Sequence, residues 1–109
     1  MSTDTDKIRL LNDQFRQNLP KGRALMTPGI AALGPEIVQR LVQAIATFDD
    51  FCLANDPHGE HDFGTFESDG VEIFFKIDYY DTNLEFGSPD PADPAVTNRV
   101  ITLMLADEY

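Results

Sequence analysis

Residues 63–80, FGTFESDGVEIFFKIDYY, decide the fold. Asp69-Gly70 lies between two runs of strand-forming residues, and an Asp-Gly pair in that setting predicts a two-residue type I′ hairpin turn, in which both central residues take φ > 0. The predicted strands cover about Phe63–Ser68 and Val71–Tyr80. Side chains alternate along a strand, so Val71, Ile73, Phe75, Ile77 and Tyr79 share one face and Glu72, Phe74, Lys76, Asp78 and Tyr80 the other. The first set reads as the core side. The second mixes two aromatics with charge, and a two-residue turn sets Glu67 directly opposite Glu72, a like-charge pair that costs a few tenths of a kcal/mol up to about 1.

Upstream, the pattern changes from period two to period 3.6. A helix is expected from about Asp4 to Asn18: Ser2, Thr3, Asp4 and Thr5 offer capping oxygens, and Ile8, Leu11, Phe15 and Leu19 form one apolar stripe. Pro20 ends it and Lys21-Gly22 turns the chain. Arg23–Thr27 reads as a short strand, Pro28-Gly29 as a turn, and Ile30–Leu33 as a strand or packed loop. Gly34-Pro35 opens a second helix to about Phe51, with Ile37, Leu41, Ile45 and Phe48 on its inner face. Downstream, Leu84–Phe86 offers a short strand, GSPDPADPA (87–95) an ordered loop of polyproline character, and Asn98–Ala106 a strand buried on both faces. Helices followed by a run of strands imply an α+β fold, a single domain over 1–109: an antiparallel sheet of about four strands with two N-terminal helices on one face.

The chain has 109 residues and a formal charge of −11, and the charge is uneven. Residues 1–48 hold six basic side chains against four acidic ones, whereas residues 49–109 hold two against fifteen. Such a surface repels phosphates and argues against direct nucleic-acid binding; it suits a basic protein partner, including one that itself binds nucleic acid. One Cys excludes an intrachain disulfide framework, and Cys52, between Phe51 and Leu53, reads as a small buried apolar residue. No apolar run is long enough to span a membrane, and Met1–Leu10 is too polar for a signal peptide, so a cytoplasmic protein without a membrane partner is expected.

Two groups of residues carry chemical interest. The loop Asp56, His58, Glu60, His61, Asp62 combines imidazole with carboxylate, which suits Zn²⁺, Mn²⁺ or Fe²⁺, with His58, His61 and Asp62 as candidate ligands. Glu60, His61 and Asp62, joined by Asp78 if the loop folds back on the hairpin, are candidates for general acid/base or metal-assisted hydrolysis. The spacing matches no metal signature, Pro57 and Gly59 argue against a helix there, and ordinary turn hydrogen bonding explains the same residues. The second group is a surface: Glu67, Asp69, Glu72, Asp78, Asp81 and Glu85, with Phe74 and Tyr80 as aromatic anchors inside a charged rim. A helix covering Phe74 and Tyr80 is the competing expectation.

The strings NDPHGEHDFG (55–64), KIDYYD (76–81), GSPDPADP (87–94) and RVITLMLADEY (99–109) resemble a family of small bacterial proteins catalogued as a domain of unknown function (number 3768). IRLLNDQFR (8–16) and ALMTPGIAALG (24–34) fit the same pattern. The resemblance implies a compact bacterial domain found alone, with an aromatic residue at the position of His58, which weakens a His58/His61 ligand pair. It carries over no activity, cofactor or site residue. The leading expectation is therefore a non-enzymatic acidic module, without a cofactor, that docks a basic partner and inhibits it, as small anti-defence proteins do. A small metal-dependent hydrolase is second. A homodimer built on the apolar C-terminal strand, rather than a monomer, is third.

Overall fold

The structure is a computed structural model and describes residues 4–20 and 22–109. The candidate caps Ser2 and Thr3, and Lys21 of the expected turn, lie outside the described residues. The elements are α1 (Asp4–Gln17), β1 (Ala24–Met26), α2 (Pro28–Ala31), α3 (Pro35–Thr47), β2 (Phe63–Ser68), β3 (Val71–Tyr80), a 3-10 turn (Pro94–Val96), β4 (Asn98–Leu105) and a final 3-10 turn (Ala106–Glu108). The fold is α+β, with one four-stranded sheet in the order β1-β4-β3-β2.

The β2–β3 hairpin forms as its turn chemistry dictates. Asp69 (φ 53) and Gly70 (φ 79) both take the left-handed conformation of a type I′ turn, and Ser68 pairs with Val71. Glu67 lies opposite Glu72. Strand β4 pairs antiparallel with β3, and its central residues are buried on both faces. The sheet departs from the expected antiparallel arrangement at β1, which runs parallel to β4 with Ala24 opposite Ile101. A three-residue strand carries no signal of direction; here it is set by where α1 delivers the chain and by α2 folding back over the core.

The sequence pattern misleads at four other places. Ile30–Leu33 is neither strand nor loop: Thr27 caps α2 and Pro28 takes its first position, so the Thr-Pro helix start overrides the Pro-Gly turn. Helix α3 ends at Thr47, not near Phe51, because Phe48 turns extended and drives its ring against Phe75 (centroids 5.2 Å apart, edge-to-face). Leu84–Phe86 makes no strand; the chain forms a single bridge, Tyr80 to Gly87. The proline-rich loop closes instead on side-chain caps, with the Asp93 carboxylate accepting from Ala95 N (2.9 Å) before the 3-10 turn.

The core joins α2, α3 and the inner sheet face through Ile30, Leu41, Ile45, Ile73, Phe75, Ile77, Ile101 and Leu103. Each is worth about 1.5–3 kcal/mol of burial. An exposed ion pair such as Arg40–Asp69 (3.4 Å) is worth at most about 1 kcal/mol, so the apolar layer carries the fold. The end of the chain is tied to α2 by Glu108, whose carboxylate accepts from Thr27 Oγ1 (2.6 Å), Leu105 N (2.9 Å) and Gly29 N (3.1 Å). Those bonds, Thr27's first, hold its carboxyl below the ordinary glutamate range.

Gly64 is set by close approach rather than by φ. A Cβ there would lie 2.7 Å from Phe48 and closer still to Phe75. Gly64→Ala is expected to lower unfolding free energy by about 1–3 kcal/mol, read from urea midpoints, because neither ring can retreat within a packed core.

Candidate functional site

The most buried side chains of α1 are not its whole apolar stripe but Ile8, Asn12 and Arg16, spaced four apart on one line. Asn12 is a hub. Its Nδ2 donates to Tyr79 Oη (2.8 Å) and to the Glu60 carbonyl (3.0 Å), and its Oδ1 accepts from Arg99 Nε (2.7 Å). Tyr79 in turn donates to Glu60 Oε1 (3.1 Å), and Arg99 lies over the Tyr79 ring and donates to the Pro91 carbonyl. Burial pushes the Tyr79 hydroxyl well above its ordinary range and lowers Arg99 from its own. Arg16, four residues on, donates from Nη1 to the carbonyls of Ile45 and Phe48 (3.0 Å each) and from Nη2 to Asp13, beside the faces of Phe51 and Phe75. The sequence reading missed Asn12, Arg16 and Arg99. Their signals were an Asn and an Arg in step with Ile8, and a charge opening the apolar run RVITLML.

This network decides what the His/Asp loop can do. The Asp56 carboxylate accepts from the backbone N–H of Glu60 and of His61 (3.1 Å each), which holds His61 at φ 58. The His61 ring pairs through Nδ1 with Asp13 (2.8 Å) and stacks on Phe51 (3.8 Å). It therefore lines a cleft with Asp13, Arg16 and Phe51, whereas His58 and Asp62 line a different one, of about 330 Å³, with Phe63, Lys76 and Tyr109. Among the described residues, no group of three or more His, Cys, Asp or Glu is arranged to hold a metal ion. Glu60 meets Tyr79 on the inner sheet face, while Asp78 projects from the other face and pairs with Lys76 (3.3 Å), so strand alternation keeps Asp78 away from Glu60. Cys52 is exposed, contrary to the buried role expected for it, because α3 has already ended and the chain runs over the surface there.

The helices pack on the inner face of the sheet, and none covers the other. On that outer face Glu67 and Glu72 stand opposite each other, followed along β3 by Phe74, Lys76, Asp78 and Tyr80. The strip from Glu72 to Tyr80 is about 26 Å long at ~3.3 Å per residue. Phe63, Phe74 and Tyr109 form a triad of edge-to-face rings, 5.3–5.6 Å between centroids, with Tyr109 73% exposed. Leu25 adds an exposed apolar side chain on β1. Two of the expected binding residues have partners within the chain: Asp69 pairs with Arg40 of α3, and Asp81 caps its own turn by accepting from Asn83 N and Glu85 N; Glu85 lies exposed on that turn.

The chain is thus an α+β fold with its helices on one sheet face and a strip of carboxylates and aromatic rings on the other. The chain belongs to the family described as "Protein of unknown function (DUF3768)", which matches residues 26–108. All of α1, with its Asn12 and Arg16, therefore lies outside the matched segment. No curated protein and no solved structure matches the chain.

Two consequences are measurable. Arg16→Met removes the donor to the Phe48 carbonyl and the partner of Asp13, and is expected to cost about 3 kcal/mol in urea unfolding. Burial, reinforced by Glu60, raises the Asp62 carboxyl above the ordinary 3.8. A raised carboxyl stabilises the fold when protonated; that contribution is complete below the unfolded value and is lost as pH rises through the folded one. Asp62→Asn is therefore expected to be more stable than wild type at neutral pH, with the advantage vanishing below the ordinary value, in denaturant midpoints followed between about pH 3 and 8.

Proposed function

We propose that the chain is a small acidic binding module that docks the helix-free face of its sheet onto a basic protein surface. One observation carries the reading: Glu67, Glu72 and Asp78 share that face with Phe74, Tyr80 and the exposed Tyr109, and Lys76, already paired with Asp78, is its single base among the described strand residues. Carboxylates give rate and orientation to an encounter, and aromatics give the desolvated contact that holds it. Of the other described cations, Arg16 and Arg99 are buried in the polar network and Arg9 and Arg40 sit in ion pairs with Asp6 and Asp69, while Lys7 lies on α1 and Arg23 donates to Asn98 Oδ1 (3.3 Å) beside Tyr80, at the end of the strip. The strip from Glu67 to Asp78 thus carries three carboxylates against one lysine.

The partner class that fits is a protein whose lysines and arginines ordinarily contact phosphates, a nucleic-acid-binding enzyme above all. Occupying that surface inhibits it, which is the logic of an anti-defence protein acting in the cytoplasm. Among the described residues, no helix is long and apolar enough to cross a membrane. With a partner recovered from the native host by pull-down and mass spectrometry, Glu72→Lys with Asp78→Lys is expected to slow association roughly tenfold or more at low salt and to flatten its salt dependence. Association rates indifferent to both salt and charge reversal would remove the proposal.

A further inference from the structure

The acidic strip runs out at Tyr80, where the chain enters the turn 81–87. Asp81 N donates to Phe86 O (2.8 Å), Leu84 N to Asp81 O (3.1 Å) and Ser88 N to Tyr79 O (3.0 Å). The Asp81 carboxylate accepts from Asn83 N (3.1 Å) and Glu85 N (3.0 Å), and Asn98 Nδ2 donates to the carbonyls of Asp81 (3.2 Å) and Thr82 (3.1 Å). Yet the turn buries none of its own large side chains. Phe86 is 72% exposed and Leu84 44% exposed, and Leu84 stands at φ 59, a conformation that suits Gly or Asn and strains a leucine. A turn selected only to reverse the chain would place a glycine at 84 and a polar residue at 86.

We infer that this turn is the apolar anchor of the docking face: Leu84 and Phe86 enter an apolar socket on the protein partner, and Lys or Arg side chains at the rim of that socket meet Glu85. The inference rests on the docking reading above and names the contact that would contribute most to it. Three observations favour this occupant. Rigid, pre-ordered apolar groups lose little entropy on binding, as a hot spot requires. The carboxylate between them is exposed, so a socket with a neutral or acidic rim would desolvate it without compensation. Tyr80 pairs with Gly87, which makes the tip continuous with the strip carrying Glu72 and Asp78.

The test places the photo-crosslinking residue p-benzoylphenylalanine at position 86 of the full chain, with the same probe at Leu53, 84% exposed on a different loop, as control. The crosslinked protein from the native host is then purified for affinity measurements. The expected result is a crosslink from 86, not 53, into an apolar site bordered by Lys or Arg, and at least a tenfold loss of affinity for that purified protein in Phe86→Ala. Leu84→Gly separates binding from folding: release of backbone strain is expected to raise the melting midpoint by roughly 4 °C while affinity falls. Crosslinking to a second copy of the chain, equal crosslinking from 53, or unchanged affinity in Phe86→Ala overturns the inference. If charge reversal at Glu72 and Asp78 weakens binding while Phe86→Ala does not, the anchor fails and the docking face stands. The reverse pattern overturns the docking face and, with it, the basic rim assigned here.

Discussion

A guanidinium held out of water organises this structure. Arg16 occupies the space where α3 ends and donates to two carbonyls there, that of Ile45, which also accepts the Phe48 N–H, and that of Phe48 itself, just past the helix terminus. Burying an uncompensated cation would cost several kcal/mol, so the site is stable only because three oxygen acceptors and the faces of Phe51 and Phe75 surround it together. The same side chain thereby fixes how α1 crosses α3. One turn earlier, Asn12 joins α1 to Glu60, Tyr79 and Arg99, so a single helix face sets the positions of a loop and two strand ends.

The function proposed follows from that geometry by subtraction. With α2 and α3 drawn to the inner face of the sheet, the outer face is flanked only by the loop at 54–58 and by Tyr109. On that face Val100 and Met104 of β4 are buried, while β2 and β3 present a mixture of carboxylates and rings. The polar network also takes basic side chains inward. The strong excess of carboxylates in residues 49–109 is therefore not spread as one uniform field: Asp56 and Glu60 serve the network, Asp81 and Asp93 cap turns, and a smaller set on and beside β3 faces outward.

Most of the sheet was legible from residues 63–80 and 98–105, because alternation and the Asp-Gly turn are local signals and tertiary contacts agree with them. The features that escaped are those set by distant partners. Asn12 and Arg16 keep step with Ile8 along α1, but polar side chains on that line do not declare burial until their acceptors, dozens of positions away, are known. The parallel direction of β1 and the early end of α3 were hidden for the same reason, since Phe48 leaves the helix to meet Phe75. The carboxylates and aromatics of β3 could be assigned to one face by counting, whereas the use of Asp69 and Asp81 depended on Arg40 and on turn amides that spacing does not reveal.

The central claim, that the outer face of the sheet is open and negative, needs no partner to be examined. Paramagnetic relaxation of backbone amides by matched cationic and anionic soluble nitroxides reports the local potential residue by residue. The structure predicts that the cationic probe relaxes the amides of β3 from Glu72 to Tyr80 and of the following turn more strongly than the anionic one, with the bias fading as salt rises toward 1 M and the Debye length shrinks to about 3 Å. Equal relaxation by the two probes along β3, or a bias centred on α1 and α3 instead, would contradict the account.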